Sequence, residues 1–188
     1  TNAITDVLIF GAQLEQSSIA TSYIPTSGST VTRLADLVTG AGDVNTINSS
    51  EGVFYANFRS LGSDLNRYLI LGDGGYRTNN IYFGFLGNTM ILRILKDNVE
   101  VVAISTNRNL DYRELVVTWK QDEVKFFVDK IQIGSTITSF NTFSANTLND
   151  LGFNAGGNGG RAFINIKTKE LKVYKSIADA QADLTYIN

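Results

Sequence analysis

The sequence predicts an all-β fold: a two-sheet antiparallel β-sandwich with an N-terminal strand and connector before it and a short helix after it. Three observations carry that prediction. From residue 51 onward, short runs rich in β-branched and aromatic residues recur between clusters of Gly, Asn, Asp and Ser, at the spacing of a sandwich. Several of these runs are apolar on both alternating faces, as in strands buried between two sheets. The single helix signal lies at the C-terminal end.

Taken in order, residues 7–10 read as a short apolar strand. Residues 11–36 form a polar connector holding Pro25, the only proline, which fixes its own φ and biases Ile24 toward extended geometry. Strands are expected over 53–58, 68–71, 81–85, 90–95, 99–104, 115–119, 124–128, 150–153, 162–166 and 171–174. Residues 96–98 and 120–122 supply hairpin tips. The glycine runs at 72–75 and 156–160 call for positive φ at several positions and so for surface loops. Ser176 with Asp179 reads as a capping box that opens a helix through Leu184. The division this suggests is residues 1–40 as strand and connector and 41–188 as the sandwich. The β character of residues 1–24 leaves an edge that needs a partner, in this body or in a neighbouring one. Thr1 opens in what reads as the middle of a module, the start of a piece of a longer protein.

Composition narrows the functions. A body of about 150 residues buries roughly 70% of its unfolded surface, so it needs no covalent staples. Cysteine and histidine are both absent, which removes disulfides, thiolate or imidazole metal sites, Ser-His-Asp triads and the commonest general base near neutral pH. Sixteen basic and 18 acidic side chains are interspersed, with a net charge of −2 and no basic stripe to follow a phosphate backbone. No apolar run approaches the ~20 residues of a membrane span. Neither nucleic acid nor membrane insertion is expected.

The polar residues pose sharper questions. A glycosidase needs two carboxyl groups within roughly 5–10 Å of each other across a sugar bond. Asp111 and Glu114 come nearest to a suitable motif, but three residues apart on a strand they point to opposite faces and read as solvated edge charges. A lyase would use Tyr with Lys or Arg, and nothing clusters these. Neither glycine run matches a phosphate-binding loop. Loop oxygens suited to calcium are present at Asp43, Asp73 and Asp150, although no motif spacing gathers them. Sugar binding asks for an aromatic platform beside amides, carboxylates or guanidinium groups. Asp73, Tyr76, Arg77, Asn79 and Asn80 supply that assortment in one loop, and Asn154, Asn158 and Arg161 in another. Turn geometry alone also selects Asn, Asp and Gly. Trp119, the only tryptophan, ends a strand on the same face as Leu115 and Val117; it is either core or a ligand platform.

Two stretches resemble known families. Gly11, Gln13, Leu14 and Glu15, then Thr21 to Thr26, then Val31, Thr32, Arg33, Ala35 and Asp36 match G-x-Q-L-E, T-S-Y-I-P-T and V-T-R-x-A-D. This run resembles the connector of bacteriophage tail and fibre proteins. Trp119, the strand ending Phe126-Phe127-Val128-Asp129, and Lys169, Glu170, Leu171, Val173, Tyr174, Asp179, Ala180 and Gln181 resemble the paired strands and closing strand-plus-helix of laminin G-like, concanavalin A-like jelly rolls. That family's turn glycine is replaced by Lys130, so this hairpin is expected to close differently. The resemblance implies a jelly roll in a virion tail or fibre, outside the cell. It implies non-catalytic recognition of a host cell-surface polysaccharide, contacts with other virion proteins and a homo-oligomer, often a trimer, with calcium as the one cofactor it suggests. The alternatives are a purely structural assembly module and a polysaccharide-degrading enzyme.

Overall fold

The structure is a computed structural model and describes residues 11–14, 23–32, 42–61, 67–75, 77–86, 88–107, 111–153 and 166–188. The chain falls into two units, Thr1–Asp36 and Leu37–Asn188. In the first, the Ile24 N–H donates to Gln13 Oε1 at 2.7 Å, tying the start of the connector to the residue before Pro25. Its described residues form no strand or helix, and the predicted strand at 7–10 lies outside them.

The second unit is the sandwich. Its strands are β1 (Gly52–Ser60), β2 (Arg67–Gly72), β3 (Asn80–Leu86), β4 (Thr89–Lys96), β5 (Val99–Asn107), β6 (Arg113–Lys120), β7 (Glu123–Val128), β8 (Ile131–Gln132), β9 (Asp150–Gly152) and β10 (Ile166–Tyr174). They form two five-stranded antiparallel sheets: sheet I in the order β10-β1-β6-β7-β8 and sheet II in the order β5-β4-β3-β2-β9. The all-β, two-sheet prediction is met. The two-residue β8 had no separate signal in the sequence, and of the predicted strand 162–166 only Ile166 lies among the described residues, as the first residue of β10. The helix α1 (Ile177–Gln181) is capped by Ser176 Oγ, which accepts from the Asp179 N–H at 3.0 Å, but it stops short of Leu184.

Turn chemistry sets the hairpins. Asp97 and Asn98 both hold positive φ, +51° and +65°, as a two-residue turn between right-twisted strands requires. Asp129 and Lys130 do the same at +48° and +71°. Lys130 thus takes the left-handed conformation a glycine would adopt there, so the hairpin closes in the usual way and the residue bears the strain. In the loop at 72–75 only Gly74 has positive φ, joined by Arg77 at +62°. Gly72 has a different reason: a Cβ there would meet the Asn80 side-chain amide at 2.0 Å.

The inner faces interlock through Phe54, Phe58, Phe83, Phe85, Trp119 and Phe126 with Leu69, Leu71, Ile81, Met90, Leu92, Ile94, Leu115 and Val117. Phe54, Phe83 and Phe126 form a continuous stack between the sheets. The both-faced apolar pattern has a second cause, because each strand has only one inner face. On the outside of sheet I, Val53, Tyr55, Val116 and Phe127 are buried with Ala180, Leu184 and Ile187 of the C-terminal segment. Outside sheet II, Ile70, Tyr82, Ile91 and Leu95 form a third buried group. Among the described residues no helix is long and apolar enough to cross a membrane.

Candidate functional site

The outer face of sheet I changes character along its strands. Cross-strand partners share a face, so the register sorts outer residues of β6, β1 and β10 into rows. One row is Thr118, Val53 and Tyr174; the next is Val116, Tyr55 and Lys172; the next is Glu114, Asn57 and Glu170. One step further Arg59 faces Lys167, with the Tyr112 ring 5.5 Å from the Arg59 guanidinium carbon. The first row and most of the second lie under the C-terminal segment. The remaining rows are open.

Where covered and open halves meet there is a cleft of about 300 Å³ lined by Tyr55, Glu114, Lys130, Glu170, Lys172, Asp183, Thr185 and Tyr186. Its walls are tied together. Glu114 accepts from the Tyr186 hydroxyl and, at 3.3 Å, from that of Tyr55. Tyr174 donates to Asp183 Oδ2 at 2.8 Å, and Lys172 Nζ lies 2.9 Å from Glu170 and 3.7 Å from Asp183. The Lys130 ammonium sits 6.0 Å from the centre of the Tyr186 ring.

Burial raises the Tyr186 phenol well above its ordinary value, and the bond to the Glu114 carboxylate raises it further. Burial likewise raises Tyr55, and burial plus the Asp183 bond raise Tyr174. The hydrogen bond to Glu170 raises the Lys172 ammonium. These phenols therefore stay protonated and donate. Alkaline pH tests this. A raised folded-state value contributes stability that is fully present below the unfolded pKa of 10.0 and is lost as pH climbs through the folded value. Unfolding free energy should fall above about pH 10, and Tyr186→Phe should flatten that fall by about one proton's worth, ~1.4 kcal/mol per pH unit at most. Equal slopes in the two proteins would contradict the Tyr186–Glu114 tie.

A second depression of about 370 Å³ is lined by Val44, Asn45, Asn48, Ser49, Asn146 and Lys175 among others. It has no aromatic wall.

The sequence candidates fall elsewhere. Asp73 spends its carboxylate inside its own loop, accepting from the Gly75 N–H at 2.9 Å, the Thr78 hydroxyl and Asn79 Nδ2 at 3.1 Å. Asn79 Oδ1 accepts from the Asp97 N–H, latching the loop to the next hairpin. Asn80 is 2% exposed, with its amide placed between Asn79 O at 3.0 Å and the Arg77 N–H at 3.2 Å. These side chains build the loop, and only Arg77 of the described set projects as an exposed group. Trp119 has no exposed surface, and its Nε1–H donates to Ser49 O at 3.1 Å. It is a core residue, because a ring sealed between two sheets presents nothing to a ligand. Tyr76, Asn154, Asn158 and Arg161 lie outside the described residues.

The calcium candidates are the carboxylates of Asp43, Asp73 and Asp150. Asp43 caps its own turn, accepting from the Asn45 and Thr46 N–H groups at 2.9 Å each, and its hydrogen bonds with Thr46 and Asn45 hold its carboxyl below the ordinary value. Asp150 opens β9 and pairs with Gly72, the residue before Asp73. Among the described residues no three acidic, His or Cys side chains gather where they would hold a metal ion.

Glu114 is the residue that sequence reasoning misplaced. Read as a solvated edge charge, it is half-buried and receives two phenols. Its partners come from residues 55 and 186: the pairing of β1 with β6 brings Tyr55, and the segment after α1 brings Tyr186.

No protein-family model matches the sequence, and a search of curated proteins finds no match. Solved structures do match. The CBM40 domain of the Ruminococcus gnavus IT-sialidase, bound to α2,3-sialyllactose, aligns with a TM-score of 0.55 at 12% identity, over 72% of this chain and 86% of that one. Domains LG4–5 of the mouse laminin α1 chain align with a TM-score of 0.51 at 9% identity, over 74% and 38%. Botulinum neurotoxin type C, whose way into cells depends on two ganglioside molecules, aligns with a TM-score of 0.50 at 12% identity, over 76% and 36%. The chain spans about a third of the length of that toxin chain. At these identities the likeness shows the fold: a jelly-roll sandwich.

Proposed function

We propose that this chain is a non-catalytic glycan-binding module and that the open half of the outer face of sheet I holds the sugar. The observation that carries the reading is the cleft between Tyr186, Lys130, Lys172, Glu170 and Asp183. It pairs an aromatic wall with charged donors and acceptors fixed in place by mutual bonds, the combination that suits a polyhydroxylated ring. Structural neighbours that hold sialyllactose or depend on gangliosides support it as analogy.

Glu114 and Glu170 lie on strands either side of β1, with backbones about 9–10 Å apart, so a carboxyl pair across one sugar is the competing reading. Hydrolysis also needs one carboxyl that gives a proton away. Here Glu114 accepts from phenols and Glu170 pairs with an ammonium, so both are placed as acceptors. The connector over residues 11–36 supports placing the module in a bacteriophage tail or fibre, where host surface polysaccharide is the glycan to be recognised.

A glycan array followed by titration calorimetry tests the reading. Tyr186→Ala and Lys172→Ala should each weaken binding by about tenfold, the loss of roughly one charged or aromatic contact. Release of reducing ends or unsaturated products from the bound glycan would make the chain an enzyme. Binding to no glycan at all would leave a structural virion module as the better account.

A further inference from the structure

The geometry points to an anion subsite beside the cleft, in which Arg59, Lys169 and the Tyr112 ring receive a carboxylate or sulfate carried by the sugar; this rests on the glycan-binding reading above. Tyr112 is half-buried, while Arg59, Lys167 and Lys169 are exposed. The Arg59 guanidinium carbon lies 5.5 Å from the Tyr112 ring centre and the Lys169 ammonium 4.2 Å from it. Arg59 and Lys167 are direct cross-strand partners. Like charges so opposed destabilise a sheet. A register shift between Asn57 and Phe58 leaves Lys169 without a partner residue on β1, adding a third cation next to the other two.

Among the described residues no carboxylate pairs with any of the three. Three nearby acids are engaged elsewhere: Glu170 with Lys172, Asp129 with Arg113 at 2.9 Å, and Glu114 with two phenols; Asp111, before Tyr112, is engaged as well. The cations stand ready for an external anion, which Arg59 would receive with paired N–H donors.

The next row limits what kind of anion fits. Asn57 and Glu114 lie two residues from Arg59 and Tyr112, about 7 Å along the strands, and Glu170 directly follows Lys169. That row accepts hydroxyl donors and repels negative charge. A chain of closely spaced phosphates would suffer there, whereas a sugar with one acidic group at one end and hydroxyls at the other satisfies both rows.

The test compares polygalacturonate with its carboxyl-reduced form, and dextran sulfate with dextran, by calorimetry on the whole chain. At least one acidic member should bind about tenfold tighter than its neutral partner. Which of the two pairs shows the gap tells carboxylate from sulfate. Arg59→Gln and Lys169→Gln should each remove about tenfold of acidic binding and leave neutral binding unchanged. Arg59→Gln should also raise the melting temperature, because it dissolves the like-charge pair, an effect no purely structural role for Arg59 produces. Neutral binding equal to acidic binding, or insensitivity to both substitutions, would overturn the subsite while the glycan-binding reading stands. If no member of either pair binds, the subsite falls, while the glycan array decides the binding reading separately. Tighter binding to phosphatidylserine vesicles or a DNA oligonucleotide would also overturn it.

Discussion

Replacing Trp119 with alanine should cost about 3–5 kcal/mol of stability, the range for removing a fully buried large aromatic. The indole fills the inner face of sheet I at the end of β6, opposite Gly52 of β1. A Cβ at Gly52 would lie 2.6 Å from that ring and 2.8 Å from Tyr174 O, so the glycine exists to let the ring pass. Truncation leaves a cavity that neither sheet can close. The loss extends to the loops. Ser49 O would lose its indole donor, and the same residue's hydroxyl accepts from the Leu148 N–H at 2.9 Å. Urea unfolding followed by circular dichroism measures the effect, since the variant has no tryptophan to report. The conservative Trp119→Phe should retain full affinity for any glycan the chain binds. A binding defect in that variant with stability intact would return the residue to the ligand site.

Phe83→Ala should be of the same size, about 3–5 kcal/mol, for a different reason. Phe83 stands at the middle of the ring stack, 4.9 Å from Phe54 at 22° and 5.9 Å from Phe126 at 28°. It belongs to sheet II and both neighbours belong to sheet I, so it is the point at which the layers grip. A double-mutant cycle with Phe54 should return a coupling of about 0.5–1.5 kcal/mol beyond the separate losses. Strict additivity would mean the rings merely fill space side by side.

The fold was legible because its signals are local. Runs such as 53–58 and 90–95 are short, apolar on both faces and bounded by turn residues, and Asp97-Asn98 is a turn dipeptide whose φ values follow from its chemistry. Ser176 and Asp179 announced a cap that the structure contains. Lys130 shows that a missing glycine is not a missing conformation, since the lysine holds the same positive φ. The site was far less legible. Its residues lie at positions 55, 114, 130, 170, 172, 183 and 186, and no sequence window spans them. The candidate loop at 73–80 had the right chemistry, but a polar loop first satisfies its own backbone, as Asp73 and Asn80 do. Trp119 was one of two open options until burial decided it.

The placement of β1 also governs how this chain must be built. It is flanked by β6 on one side and by β10 on the other, so Val53 waits for Tyr174. During ribosomal synthesis the strand emerges early with both backbone rails bare, and more than a hundred residues follow before its second neighbour exists. Such distant closure is slow, on the order of milliseconds to seconds, and leaves an adhesive edge exposed meanwhile. The lysines at 167, 169 and 172 on β10 then acquire a further value: once β10 has closed the gap it becomes the edge of sheet I, and their charges discourage a second chain from pairing along it.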